Sequence, residues 1–182
     1  MTISPEELAM AARRAAELTD SSELLLVGSQ AIVAMYKPAQ IPGEATMSAE
    51  LDVVARSRED HFRITEELGE MSEFHQEHGF YVQAVRNDLI SRVQGWEERA
   101  ARIEVASGDR DVAVWCMDVN DLCLSMLAAE RTKDVLYVNA MLQDGLADRA
   151  VIEERAELML SPDDIPAVKR TLQRIDELPA DR

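Results

Sequence analysis

The sequence predicts an α/β protein whose strands all lie in its N-terminal part, with a helical C-terminal part behind them. Three observations carry that expectation. Short apolar runs of strand character alternate with helical stretches up to residue 116, and only helical periodicity follows. A Gly-Ser pair, Gly28-Ser29, ends the first strand run and opens a helix. With 47% of its 182 residues hydrophobic, the chain has enough apolar surface for one packed domain rather than a disordered one. We therefore read residues 1–182 as a single domain, an α/β core over 1–116 and a helical subdomain over 117–182.

Taken in order, Ser4-Pro5-Glu6-Glu7 is a helix start, with Ser at the N-cap, Pro at the first helical position and Glu at the third. That helix should run to about residue 18. Glu23–Val27 is a buried strand, and Gln30–Tyr36 a short apolar helix beyond the Gly-Ser pair. Lys37–Met47 holds two Pro and one Gly and reads as a loop. Ser48–Ala55 alternates as a second strand, Arg58–Met71 has helical periodicity, and Phe80–Val85 is a third strand. Arg99–Ala106 and Asp111–Cys116 form a hairpin about Ser107-Gly108-Asp109. Asp118 caps a helix over Val119–Glu130 with Asp121 at its third position, and a second helix covers Lys133–Gln143. A third helix follows Asp148, and a fourth starts at Ser161-Pro162 and stops before Pro179.

Charge narrows the choice of partner. A formal net charge of −16 repels nucleic acid and anionic membranes and favours solubility or a basic partner, a solvated acidic surface being its commoner meaning, although a local basic groove is compatible with it. No apolar stretch approaches membrane-spanning length, and the N-terminus lacks the pattern of a secretory signal. The two cysteines, Cys116 and Cys123, form no CxxC pair and imply no disulfide framework. The chain reads as cytoplasmic.

The segment with chemical content is LLLVGSQAIVAMY…SAELDVVAR. A strand, a Gly-Ser turn and a helix bring backbone N–H groups to a helix N-terminus, where phosphate oxygens bind well. On the next strand Glu50 and Asp52 alternate onto one face, about 7 Å apart at Cα. Two such carboxylates suit Mg²⁺, which fills the rest of its shell with water and substrate phosphates and stabilises charge in an in-line displacement at phosphorus.

In that order, these features resemble the core motif of the nucleotidyltransferase superfamily, which includes kanamycin-type antibiotic nucleotidyltransferases and abortive-infection toxins of the AbiE type. The chain is similar, over roughly residues 20–160, to a group of bacterial nucleotidyltransferase-like proteins. The segments that carry the similarity are LLLVGSQAI, SAELDVV, EFHQEHGFYVQAV, GWEERAARIEV and WCMDVNDLCLSMLAAERTKDVLYVNAML. The resemblance implies a nucleotidyltransferase-like core with a small mixed β-sheet. It implies Gly28 and Ser29 as the phosphate-binding turn, Glu50 and Asp52 as metal ligands, and Glu104 as a third carboxylate, either ligand or base, with an edge-strand carboxylate facing water as the equal alternative for Glu104. Glu50 stands where Asp is usual in that motif, and the Gly28-to-Glu50 gap is longer than in compact members. Met126 occupies a helical position where relatives often carry a Lys, so Arg131 and Lys133 become the candidates to neutralise triphosphate. An NTP with Mg²⁺ is the implied ligand, with the acceptor open and a toxin–antitoxin or defence role the implied setting. The alternative is a binding or regulatory module that keeps the fold without the chemistry, docking a protein partner or a second copy through a spare helical face.

Other residues carry structural expectations. His75 and His78 lack a third ligand at zinc-site spacing and belong to the turn before the third strand. Nothing marks either cysteine as an activated thiol. Trp96 reads as a packing anchor beside Gly95, and Tyr81 as a core residue.

Overall fold

The computed structural model describes residues 3–43, 48–90, 92–107 and 110–178. Residues 44–47 of the expected loop, the Gly108-Asp109 hairpin tip and Pro179 lie outside the described residues. The chain divides into two compact units, Met1–Ile90 with Ala100–Met117, and Ser91–Arg99 with Asp118–Arg182.

The first unit is a five-stranded mixed sheet with helices. In chain order it contains α1 (Pro5–Thr19), β1 (Glu23–Val27), α2 (Ile32–Met35), β2 (Glu50–Ala55), α3 (Arg58–Leu68), α4 (Glu73–His78) and β3 (Tyr81–Arg86). The sheet is completed, after the chain has visited the second unit through α5 (Trp96–Arg99), by β4 (Ala101–Ser107) and β5 (Arg110–Cys116). The strand order is β3-β2-β1-β5-β4. β1 runs antiparallel to β2 and parallel to β5, β2 is parallel to β3, and β4 is antiparallel to β5.

Alternation gives this sheet two different faces. Directly paired residues share a face, so Leu26 with Val53 and Ala84, and Leu24 with Val114, line one side. All five are buried, as are Leu51 and Val82 of the same set. α1 and α3 pack against each other and against these strands, α1 through Leu8, Ala11, Ala12, Ala15 and Ala16, α3 through Ile64 and Leu68. The opposite face carries Val27, Glu50, Asp52, Tyr81 and Gln83.

The start of α1 is as expected. Ser4 Oγ accepts the Glu7 N–H at 3.1 Å, and the Glu7 carboxylate accepts the Ser4 N–H at 2.7 Å, forming a capping box. The segment after Gly28 is tighter than expected, a 3₁₀ turn over Ser29–Ala31 followed by the single α-turn of α2. α3 stops at Leu68 rather than Met71, because Gly69 and Met71 leave the helical region.

The second unit holds α5, α6 (Val119–Ala129), α7 (Thr132–Gln143), α8 (Arg149–Ala156) and α9 (Asp164–Asp176). α6 packs against α7, α8 and α9. Here the sequence misplaces two boundaries. Arg99 does not begin a strand: Trp96–Arg99 is one helical turn, and β4 starts at Ala101. α9 begins three residues after Ser161, because Ser161 and Pro162 close a turn in which the Ser161 carbonyl accepts the Asp164 N–H at 3.1 Å.

The reason for the first difference is a buried carboxylate. Asp121 is fully buried in α6 and is held by Arg99 Nε at 2.8 Å and by Arg155 of α8 at 3.0 Å. Arg155 also reaches Asp118 at 2.6 Å. This cluster ties residues 91–99 to the helices, so the third-position acid of the capping pattern serves packing rather than the helix dipole alone. No described helix is long and apolar enough to cross a membrane.

A buried ion pair broken on one side leaves an uncompensated charge, at a typical cost of about 3–5 kcal/mol. Asp121→Ala should therefore lower the stability of the protein by about 3 kcal/mol or more, measured as a shift of the urea midpoint followed by far-UV circular dichroism. An unchanged midpoint would show that the two arginines find other partners.

Candidate functional site

The site grows from the end of β1. Its apolar run stops at Gly28, whose φ of 69° and ψ of −179° lie in a region essentially reserved for glycine. The Gly28 carbonyl then accepts the Ala31 N–H at 3.3 Å, closing the 3₁₀ turn that carries Ser29. Val27 pairs with Asp52 across the antiparallel β1–β2 ladder, and this register lays the Asp52 carboxylate over Gly28. A Cβ added at Gly28 would sit 1.9 Å from Asp52 Oδ2 and 2.7 Å from its Cγ. Glycine is thus required at position 28 twice, by its backbone conformation and by the carboxylate packed on it.

Glu50 lies two residues before Asp52 on the same face of β2, and both side chains are half-buried. The parallel register pairs Glu50 with Tyr81 and Asp52 with Gln83. The Tyr81 hydroxyl donates to Glu50 Oε2 at 3.2 Å. Burial pushes the Tyr81 phenol up to about 12, helped by the charge of Glu50, the hydrogen bond to it, and the charges of Glu70 and Asp52. Gln30 supplies a second tie. It is fully buried, its Nε2 donates to the Ser48 carbonyl at 3.0 Å, and Ser48 Oγ accepts the Glu50 N–H at 3.3 Å. The glycine turn and the start of β2 are therefore joined through two residues.

Glu104 is not brought to this pair. It is opposite Ala113 on β5, which is opposite Glu23, four residues before the Val27 that pairs with Asp52. Along the strands that is about 13 Å, and three strand spacings add about 14 Å in the perpendicular direction. Glu104 shares the face but lies roughly 19 Å away, exposed and ion-paired with Arg102. Among the described residues, no group of three or more His, Cys, Asp or Glu side chains is arranged to hold a metal ion.

Arg131 and Lys133 lie in the helical unit, Arg131 as the N-cap of α7 and Lys133 in its first turn. Arg131 grips the nearly fully buried Asp134 with Nε at 2.6 Å, a structural engagement at the α6–α7 junction. Met126 is buried in α6. His75 accepts the Met71 N–H at Nδ1 (3.0 Å) and lies with its ring 5.0 Å from that of Tyr81. His78 packs on Phe74 at 4.6 Å, so both histidines shape the segment before β3. Cys116 and Cys123 are buried free thiols, and burial raises both, Cys116 to about 12. The Arg92 guanidinium lies over the Trp96 ring at 5.4 Å.

Over residues 6–171 the sequence matches the model of a family described as nucleotidyltransferase of unknown function (DUF6036). The chain belongs to that family. Its mixed sheet, with helices on one face and a helical C-terminal part, is consistent with a nucleotidyltransferase-like fold. Comparison with curated proteins and with solved structures yields no match.

For this nucleotidyltransferase-family chain, the donor set fits Mg²⁺ with substrate oxygens and water as its remaining ligands. Two carboxylates from one strand, one of them seated on the glycine turn, are what such an ion takes from a protein. Two members of the site escape a reading of the sequence. Tyr81 was expected in the core, but the parallel β2–β3 register, which alternation does not encode, puts it beside Glu50. Its alternation with Gln83 rather than with the apolar Val82 and Ala84 was the available signal. Gln30 left only the trace of one polar residue inside an apolar run.

Gly28→Ala forces a side chain into a glycine-only conformation, which by itself costs about 1–3 kcal/mol. We expect a lower melting temperature, part of which returns in Gly28→Ala/Asp52→Ala because the second change removes the clash but not the backbone strain. Equal melting temperatures for the single and double variants would show that Asp52 does not press on position 28.

Proposed function

We propose that the α/β unit of this protein binds a nucleoside triphosphate as its Mg²⁺ complex and passes the nucleotidyl group to an acceptor. The observation that supports this most is the seat of Asp52 on Gly28, where a metal-ligand type of side chain meets a phosphate-turn type of backbone. In this reading Gly28 and Ser29 receive phosphate oxygens, and Glu50 and Asp52 hold the ion. When bound there, Mg²⁺ would supply neutralisation of charge on the phosphates. An acceptor oxygen attacks the α-phosphorus, the bond to the bridging oxygen breaks, and pyrophosphate leaves. The acceptor's proton goes to solvent or to a base on the acceptor, since Glu104 is too distant to take it. With a net charge of −16, a nucleic-acid acceptor is disfavoured against a protein or small-molecule hydroxyl.

The position of Glu104 also favours a second reading, in which the protein binds the NTP–Mg²⁺ complex without transferring it. It would then act as a regulatory module, in a toxin–antitoxin or defence setting, on a protein partner or a second copy of itself.

Calorimetric titration with each NTP and Mg²⁺ tests the shared part of both readings. Wild type should bind at least one NTP in a Mg²⁺-dependent manner, and Glu50→Ala/Asp52→Ala should abolish that binding. No binding of any NTP by wild type would contradict both. Incubation with α-labelled NTP then separates them: label transferred to an acceptor supports transfer, and bound but unconsumed NTP supports the regulatory module.

A further inference from the structure

Glu50 has a longer arm than an Asp, with one more torsion to fix before its carboxylate can take a metal. A Glu side chain loses rotamer freedom on being ordered. The structure supplies a partner that restrains it. Tyr81 is directly opposite Glu50 in the parallel β2–β3 ladder, on the face that also bears Asp52. Its hydroxyl donates to Glu50 Oε2 at 3.2 Å.

Tyr81 is itself held. Its ring lies against the His75 imidazole, with centroids 5.0 Å apart and planes tilted by 54°. The imidazole is fixed in turn by the Met71 N–H at Nδ1, 3.0 Å away. A series of contacts therefore runs from the backbone after α3, through His75 and Tyr81, to one oxygen of Glu50. Tyrosine suits the end of such a series because it has only two side-chain torsions and a polar tip.

We propose that Tyr81 is a positioning residue for Glu50, holding one carboxylate oxygen by a hydrogen bond so that the other is aimed at the ion. This rests on the reading of Glu50 and Asp52 as metal ligands. The surroundings set the role of the hydroxyl. Glu50 and Asp52 of β2 and Glu70 of the segment after α3 all act on it with negative charge, and His75 of α4 lies against its ring. The hydroxyl donates to Glu50 while the ring rests against His75, so the group serves as a donor to that carboxylate. Partners one step behind a metal ligand orient it, and their removal typically costs about 10–100-fold in metal affinity.

The test uses Mn²⁺ alone as probe, with free Mn²⁺ counted by electron paramagnetic resonance. It compares wild type, Tyr81→Phe, Glu50→Gln and the double variant. Tyr81→Phe keeps the ring against His75 and should retain the wild-type melting temperature and near-UV circular dichroism. It should weaken Mn²⁺ binding by about tenfold. In the Glu50→Gln background the same change should alter affinity by less than about twofold, because the carboxylate it serves is gone. A Tyr81→Phe protein that binds Mn²⁺ like wild type, or an equal loss in both backgrounds, would overturn the assignment while leaving the metal site standing. Failure of wild type to bind Mn²⁺, alone or with ATP, would remove the metal site and this assignment together.

Discussion

The antiparallel pairing of β1 with β2 is the contact on which the candidate site of the α/β unit depends. β1 lies between β2 and β5, and its register with β2 sets Val27 opposite Asp52. A slip of one residue would turn Asp52 toward the apolar face and bring Leu51 or Val53 onto Gly28 instead. What prevents the slip is the other side of the same strands: Leu26 and Val53, paired with each other, are completely buried. The apolar half of the alternation therefore pins the polar half. Glycine at position 28 completes the arrangement, since any side chain there would collide with the carboxylate that the register delivers.

The helical unit is organised around charge as well as apolar burial. Asp121 sits fully buried between Arg99 and Arg155, and Arg155 spans to Asp118 at the helix start. Asp134, almost as buried, is held by Arg131. Glu130 adopts a left-handed conformation rare for a residue with a side chain (φ 54°). Its carboxylate is gripped by the Arg170 fork at 3.0 and 2.9 Å, and its carbonyl accepts from Arg174. These α9 arginines offset a strained turn and keep the Glu130 carboxyl below its ordinary range. The −16 chain thus spends several of its cations on internal structure.

How much of this was legible in the sequence depended on whether the signal was local. The capping box at Ser4, the strand Glu23–Val27, the glycine turn and the alternation of Glu50 with Asp52 are written within a few residues, and the structure has each of them. Strand order and register are not local. Tyr81 looked like a core aromatic because nothing near it says that β3 lies parallel beside β2. The family resemblance offers Glu104 as a third carboxylate beside the reading of a water-facing edge-strand acid, and only the strand order, with β4 at the far edge of the sheet, decides between them. Arg99 was given to a strand because its real partner, Asp121, is 22 residues away. Asp121 in turn looked like a capping acid, and its burial between two arginines is a tertiary fact.

The site that emerges is a compact one: a glycine turn, two carboxylates on one strand, a phenol that donates to one of them, and a carboxamide that ties the turn to the segment before that strand. Its central claim is that Gly28 and Asp52 together seat the phosphates and the ion. The most direct measurement is a crystal structure of the protein with Mn²⁺ and a non-hydrolysable NTP analogue, the ion located by its anomalous signal. The account predicts Mn²⁺ between Glu50 and Asp52, with a phosphate oxygen over the Gly28-Ser29 turn. An ion or nucleotide bound elsewhere, or neither bound at saturating concentration, would contradict it.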